Sequence, residues 1–146
     1  CGGGYLHRTG LDDAVMYKDN HLAAVAPREL TSVLTEAIQL ARADRPLRFI
    51  CVEVDRLEQL DEVLSLEVGL VDIVLLDNMD PTMLREAVSR RDASASRVLL
   101  EASGGVTLDT IAAIASSGVE RIAVGSITHG AMWLDIGLDI NPDEAS

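Results

Sequence analysis

The chain has 146 residues, 48% of them hydrophobic, which is enough apolar material for one domain with a buried core. Its 24 acidic and 12 basic residues give a formal net charge of −12, which argues against a nucleic-acid-binding protein, because such proteins need a basic surface. No apolar run approaches the ~18 residues of a membrane span, no signal peptide is recognisable, and two cysteines do not make a disulfide framework. We therefore expect a cytoplasmic α/β domain without nucleic-acid or membrane partners.

The beginning of the chain predicts that the sequence is part of something longer. It reads Cys1-Gly2-Gly3-Gly4, without an initiator methionine, and apolar patterning begins within about fifteen residues. We expect a C-terminal portion of a longer protein, in which residues 1–146 form one partial domain.

Short, β-branched apolar runs predict parallel strands. The runs are Ala14–Tyr17, Phe49–Val54, Ile73–Leu76, Val98–Leu100 and Ile122–Val124, with a weaker one at Leu134–Ile140. Centres taken at residues 52, 75, 99 and 123 lie 23, 24 and 24 residues apart. This period fits one strand, one helix and two short loops.

The segments between the runs carry helical signals. Apolar residues between Leu30 and Ala41 form one stripe at helical spacing, and Asp80-Pro81 is typical of an N-cap followed by proline at the first helical position. Thr107 is the predicted N-cap of a helix over 108–117. The predicted C′ glycines, which release the chain into the next strand, are Gly69 and Gly118.

Alternating apolar strands and helices predict a parallel sheet covered by helices. The regular period favours an incomplete (β/α) barrel of parallel strands, with about six βα units, since a complete barrel needs roughly 200–250 residues. An open doubly wound sheet is the alternative.

Polar residues fall where the predicted strands end. In a parallel α/β fold these positions meet at one rim, the carboxyl edge, where active sites form. The alternative is that the carboxylates cap helices, which explains Glu53 poorly because it lies within an apolar run. The rim positions include Lys18, Glu53, Asp77, the stretch Glu101 to Gly105, Gly125-Ser126 and His129.

Lys18 is the single lysine beside eleven arginines, which indicates a need for a compact ammonium at that strand end. It would bind a phosphate or carboxylate or form a Schiff base, the alternative being an ordinary surface lysine. The three histidines, His7, His21 and His129, also lie next to predicted strands, where a structural hydrogen-bonding role is the alternative.

Two glycine-bearing turns predict an anion site. Ser103-Gly104-Gly105 precedes a predicted helix, and glycines let backbone amides approach a phosphate closely. Gly125-Ser126, one βα unit later, would supply the other half of a phosphate site.

Glu53 and Asp77 end adjacent predicted strands and face the same rim. Two carboxylates beside a phosphate site suit Mg²⁺, which takes one or two carboxylates together with substrate phosphate oxygens. The alternative is a structural pair bonded to Lys18 or to an arginine.

With these residues in view, the chain resembles the quinolinate phosphoribosyltransferase family, the carboxylating nicotinate-nucleotide pyrophosphorylases of NAD biosynthesis. The resemblance runs from Cys1 to about Ile140. It rests on GGGYLHRTGLDDAVMYKDNH (2–21), VEVDRLEQL (52–60), LLDNM (75–79), LLEASGGVTLDTI (99–111), RIAVGSITH (121–129) and LDIGLDI (134–140).

The resemblance implies a dimeric, two-domain enzyme with a seven-stranded, incomplete barrel. Such an enzyme transfers phosphoribose from phosphoribosyl pyrophosphate to quinolinate and releases pyrophosphate and carbon dioxide, leaving nicotinate mononucleotide. It further implies that His7, Arg8 and Lys18 hold the quinolinate carboxylates. Glu53 and Asp77 would face the ribose and the magnesium pyrophosphate. The 5′-phosphate would lie against Ser103, Gly104, Gly105, Gly125 and Ser126, with His129 nearby.

The chain departs from the family pattern in two ways. The family's N-terminal domain, and a first barrel strand with an arginine-lysine pair, do not precede Cys1, so we expect this chain alone to be inactive or nearly so. Cys51 also stands where the family usually has a glutamate. Three alternatives are a paralogous phosphoribosyltransferase or pyrophosphorylase-like barrel, an inactive barrel kept for assembly, and a Schiff-base aldolase that uses Lys18.

Overall fold

The computed structural model describes residues 3–8, 10, 13–18 and 27–130. Strands and helices alternate along this part of the chain. In order they are β1 (Val15–Tyr17), α1 (Pro27–Asp44), β2 (Ile50–Val54), α2 (Leu57–Leu64), β3 (Ile73–Asp77), α3 (Pro81–Ala93), β4 (Leu99–Ser103), α4 (Ile111–Ala115), β5 (Arg121–Ile122) and α5 (Ser126–His129).

The five strands form one parallel sheet in the order β1-β2-β3-β4-β5. Each strand pairs with the strand before it in the chain, and this sequential order is the one that a (β/α) barrel uses. The prediction of a parallel α/β fold is therefore confirmed. Closure into a barrel stays a prediction, as does a sixth unit, because Leu134–Ile140 lies outside the described residues.

The strands of the carboxyl half differ from the predicted runs. The run Val98–Leu100 predicted a strand that ends before the polar stretch, but β4 continues to Ser103. The last strand is Arg121–Ile122 rather than 122–124. The reason is that strand length depends on pairing with a neighbouring backbone, which continues through polar residues such as Glu101 and Arg121.

The predicted apolar stripe of α1 and the predicted start of α3 agree with the structure. Leu30, Leu34 and Ile38 of the apolar stripe are buried, which attaches α1 to the sheet. Asp80 is the N-cap of α3, and its Oδ1 accepts hydrogen bonds from the backbone N–H groups of the second and third helical residues at 2.7 and 2.9 Å.

The helix predicted after Thr107 is wrong in length. Thr107 is followed by a turn, and the helix itself spans only Ile111–Ala115. The hydroxyl of Thr107 accepts from the N–H of Thr110 at 3.3 Å, which is the hydrogen bond expected of an N-cap, but a turn separates Thr107 from the short helix. The competing hydrogen bonds of threonine with the nearby backbone explain the difference.

The two predicted C′ glycines have different outcomes. Gly118 has φ +97° in the turn directly after α4, as a glycine that leaves a helix would. Gly69 also has a positive φ, +92°, but it lies four residues beyond Ser65, the C-cap of α2. Its turn is a separate one, closed by the N–H of Leu70 on the carbonyl of Glu67 at 3.1 Å.

Alternation along the strands divides the core between the two faces of the sheet. Residues such as Val52, Val74 and Leu100 pack with the buried residues of the helices. The opposite face, which we call the non-helical face, carries a smaller apolar cluster of Ala14, Phe49, Cys51, Ile73 and Leu75. Among the described residues, no helix is both long and apolar enough to cross a membrane.

Candidate active site

The strand register builds a row of charged side chains across the non-helical face. Glu53 lies opposite Leu75, and Leu75 lies opposite Glu101. Glu101 in turn lies opposite Arg121. Lys18 directly follows β1, one position after the residue that pairs with Val52, which brings it to the level of Glu53. The predicted rim residues Lys18 and Glu53 therefore belong to neighbouring strands at one height.

Asp77 and Ser103 form the next row towards the carboxyl edge, where they are register partners. The backbone N–H of Asn78 donates to the carbonyl of Ser103 at 2.9 Å, and the Asn78 side-chain amide donates to Asp77 Oδ2 at 2.9 Å. Strand β3 thus ends by attaching itself to β4, and Asp77 is held beside the first glycine turn.

Gly104 is required by this arrangement. It has φ +86°, in the left-handed region, and a Cβ at this position would lie 2.1 Å from Oδ1 of Asn78. Gly105 also has a positive φ, +59°, but nothing lies within 4 Å of the place where its Cβ would be. The close approach of Asn78 therefore makes glycine necessary at 104 for steric as well as conformational reasons.

The two glycine turns share one cavity of about 500 Å³ at the carboxyl edge. The turn after β4 and the turn after β5 both contribute, although they are separated by a complete βα unit. The lining residues are Ser103, Gly104, Gly105, Val106, Thr107, Ala123, Gly125 and Ser126. All five residues predicted to surround a phosphate are among them, so the structure brings both predicted halves together.

His129 lies close to this cavity in the chain but is not among its lining residues. It is the last residue of the short helix α5, and its backbone N–H donates to the carbonyl of Gly125 at 3.0 Å. Its side chain is exposed. His21, the other histidine predicted near the rim, lies outside the described residues.

His7 lies across the non-helical face. Its ring contacts Phe49 edge to face, with centroids 5.3 Å apart, and its carbonyl accepts from Arg48 Nη2 at 2.8 Å. Lys18 is exposed at the end of β1, and Arg8 is partly buried. A joint site made by His7, Arg8 and Lys18 stays a prediction.

Glu101 is the residue that sequence reasoning missed. It was placed at the rim without a role, whereas it lies within β4 and is only 2% exposed. Its Oε2 accepts from Nε of Arg121, and its Oε1 lies 3.2 Å from Nε2 of His7. The available signal was a carboxylate between the apolar residues Leu100 and Ala102, the same signal that singled out Glu53.

Cys51 is a buried thiol on the same face as these carboxylates. Burial, and then the negative charges of Glu101 and Glu53, raise the pKa of the Cys51 thiol to about 12. The thiol is therefore protonated at neutral pH and acts as a small apolar residue under the charged row. A cysteine also avoids adding a third carboxylate to this part of the face.

The acidic residues fit a metal only as part of a larger ligand set. Glu53 and Asp77 project from adjacent strands on the same face, one row apart. In the part of the chain that the structure describes, no group of three or more His, Cys, Asp or Glu side chains is placed to hold a metal ion. Two carboxylates nevertheless fit Mg²⁺ when a phosphorylated substrate provides the other oxygens.

The chain is a parallel α/β protein whose carboxylates and glycine-lined cavity lie at the carboxyl edge of the sheet, where proteins of this class bind their ligands. The chain belongs to the family described as "Quinolinate phosphoribosyl transferase, C-terminal domain", whose profile matches residues 1–139.

Named relatives agree with this membership. The chain is 45% identical over 139 residues to the nicotinate-nucleotide pyrophosphorylase [carboxylating] of Mycobacterium leprae, covering 95% of the chain and 46% of that protein. It is 36% identical to the chloroplastic enzyme of that name from Arabidopsis thaliana, covering 99% of the chain and 43% of the relative. The solved nicotinate-nucleotide pyrophosphorylase from Francisella tularensis matches with a TM-score of 0.72 and 37% identity, over 88% of this chain and 41% of that one. The chain thus spans less than half the length of these relatives.

Proposed function

We propose that the protein containing this chain transfers phosphoribose from phosphoribosyl pyrophosphate to quinolinate. The products are nicotinate mononucleotide, pyrophosphate and carbon dioxide, so the protein is a pentosyltransferase of NAD biosynthesis. One observation carries this proposal: two glycine turns share a cavity beside Asp77 at the carboxyl edge of a domain of this family. A sugar phosphate fits this arrangement, because its phosphate can bind in the glycine-lined cavity while its sugar lies near the Asp77 carboxylate.

The cavity binds the 5′-phosphate of phosphoribosyl pyrophosphate. Its glycines let backbone N–H groups approach the phosphate oxygens, and the hydroxyls of Ser103 and Ser126 are additional donors. His129 acts nearby, from the segment that follows Gly125. Binding through backbone amides suits this chain because its 24 acidic residues outnumber its 12 basic ones.

Glu53 and Asp77 face the ribose and its pyrophosphate group. As the bond to pyrophosphate breaks, positive charge develops on the ribose, and nearby carboxylates stabilise it. Glu53 and Asp77 would hold Mg²⁺ together with pyrophosphate oxygens, and the ion would supply positive charge for the leaving group. The position of both carboxylates on the non-helical face, within one row of each other, supports this role.

His7, Arg8 and Lys18 bind the two carboxylates of quinolinate. A dianion approaching an acidic protein needs local cations, and Lys18 lies at the level of Glu53 on the neighbouring strand. Binding in this place presents the ring nitrogen to the ribose. Withdrawal of electrons by the quaternised nitrogen then favours the loss of carbon dioxide.

The assembly is a cytoplasmic homodimer or higher oligomer of a longer chain, with the barrel continued by segments outside these 146 residues. The family resemblance supports this proposal, and so does the short coverage of the relatives, at 46% for the Mycobacterium leprae protein. The chain by itself is then inactive or nearly so.

Substrate preference tests the proposal. The naturally occurring protein that contains this chain is titrated calorimetrically with quinolinate and with nicotinate, and turnover is followed with phosphoribosyl pyrophosphate and Mg²⁺. We expect binding and turnover of quinolinate, because its second carboxylate adds an ion pair that nicotinate lacks. Preference for nicotinate would assign the protein to a paralogous transferase, and absence of turnover with both would indicate an inactive barrel.

A further inference from the structure

Glu101 is a buried carboxylate for which the proposed reaction has no use. Only 2% of the residue is exposed, while Glu53 and Asp77 on the same face are partly accessible. A carboxylate that is removed from water costs several kcal/mol unless cations and hydrogen bonds compensate it. The two oxygens of Glu101 are compensated separately, which indicates a defined role.

The two partners of Glu101 come from distant parts of the chain. Arg121 is on the adjacent strand β5 and donates from Nε to Oε2. His7 belongs to the segment before β1 and places Nε2 3.2 Å from Oε1. Arg121, on the neighbouring strand, compensates the charge of the Glu101 carboxylate through Oε2. Oε1 of Glu101 faces the imidazole of His7, which is not part of the sheet.

The buried atom of His7 points towards Glu101. The His7 side chain is 27% exposed, yet its Nε2 is buried and forms no hydrogen bond of acceptable angle with the residues described. The 3.2 Å approach to Oε1 of Glu101 is therefore the polar contact that this nitrogen has within the described chain. Phe49 also contacts the ring edge to face, and Arg48 donates to the His7 carbonyl.

We propose that Glu101 is a positioning residue that holds the His7 imidazole on the non-helical face, with Nε2 turned inward and the remainder of the ring presented to a substrate carboxylate. This inference rests on the proposed role of His7 in binding quinolinate. Glu101 does not touch the substrate. It fixes a side chain that does, so binding does not have to order that side chain.

Glu101→Gln tests the proposal, because it keeps the size of the side chain and removes the charge that faces His7. The matched control is Glu120→Gln, which removes a carboxylate that directly precedes β5, pairs with Arg91 and does not contact His7 in the described structure. Both variants are made in the naturally occurring protein that contains this chain. KM for quinolinate, KM for phosphoribosyl pyrophosphate and kcat are measured for each.

We expect Glu101→Gln to raise KM for quinolinate about tenfold, with KM for phosphoribosyl pyrophosphate and kcat changed by no more than about twofold. Glu120→Gln should leave both KM values unchanged. In combination with His7→Gln, Glu101→Gln should cause little further loss, since one residue acts through the other. Equal rises in both KM values, no rise at all, or additive losses in the double variant would each overturn the proposal.

A second measurement separates this inference from the proposed function. If the wild-type protein does not turn over quinolinate, the proposed function fails, and the position of His7 is followed by NMR instead. We expect the ring signals of His7 to move towards those of an unstructured histidine in Glu101→Gln and to stay in place in Glu120→Gln. Signals that are the same in wild type and Glu101→Gln would show that Glu101 does not hold His7.

Discussion

The two ends of the sheet use acidic residues in different ways. At the amino end, Asp72 precedes β3 and its Oδ2 accepts from the backbone N–H of Ile50 at 2.7 Å and from Arg42 Nη2 at 3.0 Å. The carboxylate thus joins the last part of α1 to the beginning of β2, so the amino end of the sheet is tied to its covering helix.

The same arrangement recurs two strands later. Glu120 precedes β5, its Oε2 accepts from the backbone N–H of Leu100 at 2.8 Å, and its Oε1 pairs with Arg91 Nη2 at 2.8 Å. Arg91 lies in the last turn of α3, as Arg42 does in α1. The two clamps are therefore Arg42–Asp72–Ile50 and Arg91–Glu120–Leu100.

The contacts of Asp77 at the carboxyl end are of a different kind. There Asp77 accepts from the neighbouring amide of Asn78, and the adjoining turns are built from glycines that border a cavity. A carboxylate tied to an arginine and to a strand backbone contributes to stability, whereas a partly accessible one beside a cavity is available for a ligand. We expect substitutions at the amino end of the sheet to lower stability and substitutions at the carboxyl end to lower activity.

The largest effect is expected for Gly104→Ala at the carboxyl end. The added methyl group would meet Oδ1 of Asn78 at 2.1 Å and would have to occupy a left-handed conformation, so the turn and Asp77 must shift. Turnover should fall on the order of 100-fold, because misplacement by about 1 Å costs that much in a positioned site. Steady-state kinetics of the protein that contains this chain measures it.

Gly105→Ala is the control for that change. It also has a positive φ, +59°, but its Cβ would enter open space. It should lower the free energy of unfolding by about 1 kcal/mol and reduce turnover much less than Gly104→Ala. Equal losses in the two variants would mean that the contact with Asn78 does not matter.

An intermediate effect is expected for Asp72→Ala at the amino end. The change leaves the N–H of Ile50 without its acceptor and Arg42 without its partner. The free energy of unfolding in urea should fall by about 1–3 kcal/mol, the usual cost of an unsatisfied buried donor. KM for both substrates should be unchanged at a temperature where the variant is folded. A selective rise in KM for one substrate would contradict the separation of the two ends.

The smallest effect concerns the acid sensitivity of the second clamp. Partial burial raises the pKa of Glu120, but the hydrogen bonds from Arg91 and from the N–H of Leu100 lower it by more than burial raises it. The pKa of Glu120 in the folded protein therefore lies below the usual value of 4.5. The clamp therefore contributes stability above the unfolded-state pKa, and this contribution is lost as pH falls through the lowered one. Urea midpoints of wild type and Glu120→Gln between pH 7 and pH 3 should converge as the pH falls. A constant difference would show that the ionised form is not favoured by folding.

Much of the fold followed from local patterns. The structure agrees with the apolar stripe of α1, the N-cap at Asp80 and the β-branched runs of β2 and β3. Each of these signals depends on residues that are close to each other in the sequence. The helix after Thr107 and the ends of β4 and β5 were wrong, because they depend on the backbone of another strand and on hydrogen bonds within a turn.

The sequence by itself determined the parallel α/β class, the family, and the residues at the carboxyl ends of the strands, since periodicity and motif order are properties of the chain alone. Only the tertiary structure decided which of those residues meet. The steric need for glycine at 104 and the pairing of Glu101 with Arg121 come from strand register. The contact of Glu101 with His7, 94 positions away, comes from the packing of the segment before β1 on the non-helical face. Register depends on the pairing of separate backbones, and no local pattern specifies it.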